Sequence, residues 1–183
     1  MNSDDLDVRA SGIEIQLLTR NIEKDSESAE HWINQAQFGV QGQRTWALWV
    51  LGLLGNRGIE QERITQVLIA QVRDPDPDIR HWAVEGLSYV GTDETIAPLL
   101  QTLHDDPSPM VRERSACALA QCGMLTRQQR QTIVPKLIEF AEDTSLDAQT
   151  HSNVYHALRD ITAEPLPEDP TAWRKWYSSS NRS

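Results

Sequence analysis

Apolar residues recur along this chain three and four positions apart, which is the spacing of amphipathic helices. Ile13, Leu17, Leu18 and Ile22 predict a short helix over Ile13–Lys24. Trp32, Ile33 and Ala36 share one side of a helix over Ala29–Phe38, which Gly39 and Gly42 break. The segment QRTWALWVLGLLG, Gln43–Gly55, is apolar over most of its length. Ile64, Val67, Leu68 and Val72 form a stripe within Glu60–Val72. Ile96, Leu99, Leu100 and Leu103 form another after Thr92, and Ile133, Leu137, Ile138 and Ala141 a third within Thr126–Glu142. No segment alternates with the period of a strand. The pattern predicts an all-α chain.

Two stretches repeat. Asp74–Gly91 reads DPDPDIRHWAVEGLSYVG and Asp106–Gly123 reads DPSPMVRERSACALAQCG, an offset of 32 residues. Each begins with prolines that end one helix and fit the first turn of the next. Asp76 or Asp78 can cap the new helix by accepting its free N–H groups. Gly91 is placed to terminate it in the left-handed conformation, and Gly123 to stop its counterpart. Arg44, Ala47, Leu51 and Gly55 keep the spacing of Arg80, Ala83, Leu87 and Gly91, so a third copy sits at an offset of 36. A fourth, lacking both Arg and Gly, spans Asp147–Thr162. Pro98 and Pro135 occupy similar places in the intervening helices and should bend them. The chain closes on Asp169-Pro170 and TAWRKWY, a helix start followed by rings that can cover the last unit.

These units resemble the second helix of HEAT-like repeats, in the bacterial form also found in phycobilin lyases. The matching residues are the Asp-Pro turn, Ile79-Arg80 or Val111-Arg112, a small residue three on, Leu seven on and Gly eleven on. The resemblance covers about residues 29–162. It implies an α-solenoid of about four stacked helical hairpins, with an N-terminal helix and a C-terminal Trp-rich capping helix. The expected organisation is a flexible acidic N-terminus over 1–12, one solenoid domain over 13–177 and a flexible tail over 178–183. The repeated Arg44, Arg80 and Arg112 are expected to bond to carboxylates or turn carbonyls of a neighbouring unit.

Charge narrows the partner classes. The net charge is −10, with 17 basic and 27 acidic residues, and a diffuse acidic surface repels phosphate backbones. Arg112, Arg114, Arg127 and Arg130 make too thin a basic stripe for nucleic acid. No apolar run approaches a membrane span, and a cytoplasmic location is expected. Cys117 and Cys122 lie five apart, a spacing that does not share a helical face well, and read as small core residues rather than a disulfide or zinc pair. His31, His81, His104, His151 and His156 fall in no metal or catalytic spacing. No HExxH, CxxC or Gly-rich phosphate loop occurs, and no serine or cysteine has an evident local base. No catalytic residue, metal or cofactor is expected.

In the family the resemblance points to, second helices line a concave side. Counted from the repeat Arg, places +3, +4, +7 and +10 point inward and places +1, +2, +5 and +9 outward. At +2, +5 and +9 the first two units carry Trp46, Trp49 and Leu53, then Trp82, Glu85 and Tyr89. Such a concentration of Trp and Tyr fits a binding face, because those residues dominate interface hot spots. An N-terminal helix over Ile13–Lys24 could also cover part of it. The expected function is therefore a non-enzymatic interaction module or scaffold that binds a protein or peptide there. A phycobilin lyase or tetrapyrrole-binding chaperone-like protein is the alternative, since a Trp-lined acidic groove could hold a tetrapyrrole. A DNA glycosylase of HEAT-like fold is a third reading, which the charge balance argues against. The oligomeric state is left open.

Overall fold

A computed structural model describes residues 5–180 of the chain. Among the described residues there are ten α-helices and one π-helical turn, and no strand. Helix α1 (Leu6–Thr19) precedes four hairpins. These are α2 (Ser26–Phe38) with α3 (Gln41–Asn56), and α4 (Gln61–Gln71) with α5 (Pro77–Val90). Then come α6 (Asp93–Asp105) with α7 (Pro109–Cys117), and α8 (Arg127–Glu142) with α9 (Ala148–Thr162). Helix α10 (Pro170–Ser180) closes the array by packing on α8. Second helices α3, α5, α7 and α9 pack one on the next, as do first helices α2, α4, α6 and α8. The expected solenoid of four hairpins with a helix at each end is what forms.

Local chemistry sets the boundaries. Asp76 caps α5 by accepting from the Asp78 N–H at 2.9 Å, and Pro77 occupies the first helical position. Asp147 caps α9 through the Thr150 N–H at 2.8 Å. Gly91 ends α5 at φ 64°, and a side chain there would also meet the backbone of Met124 at 2.7 Å. The fourth unit has no such glycine, and Ala163 takes the left-handed conformation in its place, at φ 61°. Helices α6 and α8 continue through Pro98 and Pro135. The inward places are apolar and buried: Ala47, Leu48, Leu51 and Leu54 in α3, Ala83, Val84, Leu87 and Val90 in α5. Places +4 and +7 of the later units follow, with Ala116, Leu119, Tyr155 and Leu158. They form one continuous core, because no hairpin can bury its apolar face alone.

Each repeat arginine reaches into the following unit. Arg44 pairs with Asp74 and donates to the Gln71 amide oxygen at 2.5 Å. Arg80 forks onto Asp106, with Nε at 2.7 Å and Nη2 at 3.0 Å. Arg112 donates to Asp147 at 2.5 Å and to Thr150 Oγ1 at 2.8 Å. The same guanidinium groups also tie off turn carbonyls: Ala36 for Arg44, Asp74 and Pro75 for Arg80, Asp106 for Arg112. A planar five-donor group can serve two turns at once, which a lysine cannot.

Helices α3 and α5 approach most closely where Gly52 faces Gly86. A Cβ on Gly52 would lie 2.6 Å from the Gly86 Cα, and one on Gly86 would lie 2.7 Å from the Leu48 carbonyl oxygen. Backbone cannot yield as a flexible side chain can. Gly86→Ala is therefore expected to push the first two units apart and destabilise the protein by about 1–3 kcal/mol. Urea denaturation measures it, and a midpoint equal to wild type would show that the helices separate freely.

A second link joins α6 to the loop before α9. His104 Nε2 lies 2.9 Å from Asp143, and Nδ1 lies 2.5 Å from Asp105. Asp105, and then Asp143, raise the imidazole pKa above its ordinary value. Ser145, and then His104, hold the Asp143 carboxyl well below the usual carboxylate range. A raised folded-state histidine pKa stabilises fully below the unfolded value of about 6.5, and the gain is lost as pH rises through the folded value. Wild type should thus exceed His104→Gln in urea midpoint at about pH 5.5 by more than at about pH 8.5. A difference between the two proteins that ignores pH would show that the imidazolium contributes nothing.

Three local expectations are corrected. The helix expected over Ile13–Lys24 runs from Leu6 to Thr19, capped by Asp5. Residues 5–12 of the segment expected to be loose therefore lie at or inside a helix, while residues 1–4 lie outside the described residues. The tail expected from Ser178 on is helical through Ser180, and residues 181–183 lie outside the described residues. Cys117 and Cys122 are joined as a disulfide, with Cα atoms 5.2 Å apart. The reason is the π-helical turn Ala118–Cys122, whose wider winding brings residue i+5 over residue i.

Candidate partner-binding face

The outward places of α3 and α5 do not behave alike. Trp46 and Trp82, at the same place in successive units, are 42% and 37% exposed. Trp49, Glu85 and Tyr89 are partly buried. Leu53 is fully buried, so this structure does not offer it to a partner. Helix α1 accounts for the difference. It lies against α3, and its Ile13 and Leu17 are buried in the same core as Val50 and Leu53. Helix α3 is consequently apolar on nearly every side, as a helix enclosed by neighbours must be.

The rings fall into two groups. Trp46 and Trp49 have centroids 4.8 Å apart, and the Arg20 guanidinium stands over both, 5.6 Å and 5.1 Å away. A cation over a ring face is held by the ring quadrupole. Trp82 pairs instead with His81, edge to face, at 5.8 Å. Among the described residues no ring contact joins Trp82 to Trp46 or Trp49.

Between the groups lies a polar relay. Arg114 of α7 pairs with Glu85, and also donates to Ser88 Oγ at 3.3 Å. The Tyr89 phenol is more than half buried near Glu85 and Trp49. Burial, together with Glu85, pushes the Tyr89 phenol up to about 12. It stays a neutral donor at any physiological pH. Burial, and then the Arg114 charge, push the His81 imidazole below its ordinary value. The arrangement holds neutral and paired groups, suited to recognition by shape, ring contact and hydrogen bonding.

Of the four basic residues noted in the sequence, Arg127 is exposed and the other three are spent inside the fold. Arg112 and Arg114 carry the pairs described above, and Arg130 donates to the Ala120 carbonyl at 2.6 Å. Among the described residues no cluster of His, Cys, Asp and Glu could hold a metal ion. No helix among them is long and apolar enough to cross a membrane.

The family model for HEAT repeats matches residues 41–120, from the first residue of α3 into the π-helical turn. Residues 41–120 carry HEAT repeats. HEAT repeats generally mediate contact between proteins. No curated protein matches the chain. Sequence spacing singles out Trp46, Trp49, Trp82, Glu85 and Tyr89 as candidates and does not single out Arg9 or Arg20, which the structure sets against the ends of the second helices and their rings. The available signal was the spacing of the two arginines with Ile13 and Leu17, at i, i+4, i+8 and i+11 along one helical stripe.

Proposed function

We propose that this chain is a non-enzymatic interaction module. Its second-helix face, around Trp46, Trp49, Trp82, Glu85 and Tyr89, binds a protein or peptide. The observation that carries the reading is the exposure of Trp46 and Trp82 at equivalent places of two adjoining units. Large rings left in solvent are uncommon, and a pair of them beside a hydrogen-bonding relay matches the anatomy of a hot spot. Cofactor-free recognition fits the neutral chemistry of the site.

The test uses the full chain as bait in its native cell, beside the variant Trp46→Ala with Trp82→Ala. Wild type is expected to retain a defined protein that the variant loses, while both give the same helical circular dichroism. Equal retention by a folded variant would remove the face from consideration. A visible absorbance band on adding bilin, present for wild type and absent for the variant, would assign the face to a tetrapyrrole instead.

A further inference from the structure

Helix α1 lies across the very face proposed for binding. At one end the Arg9 guanidinium donates to the Gly123 carbonyl, 2.6 Å away, at the close of the third second-helix. In the middle Arg57, just past the end of α3, donates to the Ala10 carbonyl at 3.2 Å and stands 3.9 Å from Glu14. At the other end Arg20 covers Trp46 and Trp49. Between the arginines, Ile13 and Leu17 are fully buried. Arg9, Ile13, Leu17 and Arg20 form one stripe, and Ala10 and Glu14 lie beside it. The opposite side of α1 is free, with Val8, Ile15 and Leu18 more than half exposed.

We infer that α1 is a tethered stand-in for the partner, and that the partner is an amphipathic helix with a cationic side chain at each end of an Ile/Leu stripe, in the pattern R-x3-I-x3-L-x2-R. The inference rests on the interaction-module reading and says what that module recognises. The receiving groups explain the pattern. A carbonyl at a helix end accepts only a donor, and favours a cation by the sign of the helix dipole. Two tilted indoles favour a guanidinium. The middle of the face, where Ile13 and Leu17 are fully buried, takes branched aliphatic residues and would leave a charge unpaired.

Tethering makes α1 a competitor. A short linker, residues 20–25, holds it near its site at an effective concentration in the millimolar range. A partner must displace it, and its apparent affinity falls by the fraction of molecules in which the face is open. The chain is therefore self-inhibited, and its exposed outer stripe is not the recognition surface.

The probe is a fluorescein-labelled synthetic peptide of residues 5–22, added to full-length protein and read by anisotropy. The Leu17→Glu variant, which places a charge in the buried stripe and lifts α1, is expected to bind the peptide at least about tenfold more tightly than wild type. A peptide carrying Leu17→Ala and Arg20→Ala should lose about tenfold or more. Arg9→Ala with Arg20→Ala in the protein weakens α1 without a buried charge, and serves if Leu17→Glu reduces the helical signal. Equal affinity in wild type and both variants, or no binding to any, overturns the inference. So does a variant that forms a dimer by exchanging α1, because the occupant is then a second copy. If the peptide fails while the double Trp variant still loses its native protein, α1 mimicry falls and the interaction module stands. If the Trp variant keeps that protein, the reading beneath it falls.

Discussion

Arg80→Ala is expected to destabilise the protein by about 3–5 kcal/mol, the cost of leaving a buried charge without its partner. The Asp106 side chain is only 4% exposed and receives both prongs of the Arg80 fork. It also accepts from the Ser108 N–H at 2.8 Å in the turn that leads into α7, so it cannot turn away to find water. The substitution strands this carboxylate and frees the turn carbonyls of Asp74 and Pro75 as well. Hydrogen-bonding to Asp106 holds the Arg80 pKa above its ordinary value, the reciprocal sign of the same contact. Arg80→Lys restores charge but not the fork and should recover part of the loss. Arg80→Met with Asp106→Leu removes both charges and should recover more than Arg80→Met alone. Urea midpoints of the four proteins decide it. A loss below about 1 kcal/mol for Arg80→Ala would put the pair in the class of surface ion pairs.

Trp173→Ala should cost a similar amount, about 3–5 kcal/mol, but the damage should be local. Trp173 is fully buried in α10, and its indole N–H donates to the Pro167 carbonyl at 2.9 Å. Helix α10 packs on α8, so removing the ring opens the end of the core. In an array whose units touch only their neighbours, such a lesion frays inward from the end. Hydrogen exchange should show faster exchange in α8 and α9, with α3 and α5 nearly unchanged. Uniform acceleration through all four hairpins would mean that the array unfolds as one unit and that α10 is not a local cap.

Much of this was legible in the chain. The Asp-Pro turns, the arginines and Leu51, Leu87, Leu119 and Leu158 recur from unit to unit, the leucines at intervals of 36, 32 and 39 residues, and a recurrent string specifies a recurrent unit. The inward and outward places followed from helical winding. Four features were hidden for physical reasons. Leu53 was counted as outward because winding cannot reveal that a distant helix covers that side. The start of α1 was missed because its inward stripe begins with Arg9, a residue type that reads as solvent-facing until its guanidinium is seen to reach Gly123. Cys117 and Cys122 were separated by counting along a regular helix, and the π-helical turn breaks that count. Pairing of Trp82 with His81 rather than with Trp46 depends on ring orientation, which spacing does not fix.

The arginine contacts also act as a gauge. Trp46 lies two residues past Arg44, and Trp82 two past Arg80, so each exposed ring is rigidly keyed to one rung. Arg44 meets Asp74, in the turn that leads into α5, the helix that carries Trp82. The pitch between the two rings is thus set at a turn remote from the face that displays them. A species difference or a laboratory change at Asp74 would retune what the rings can grip, without altering a single residue that touches the ligand.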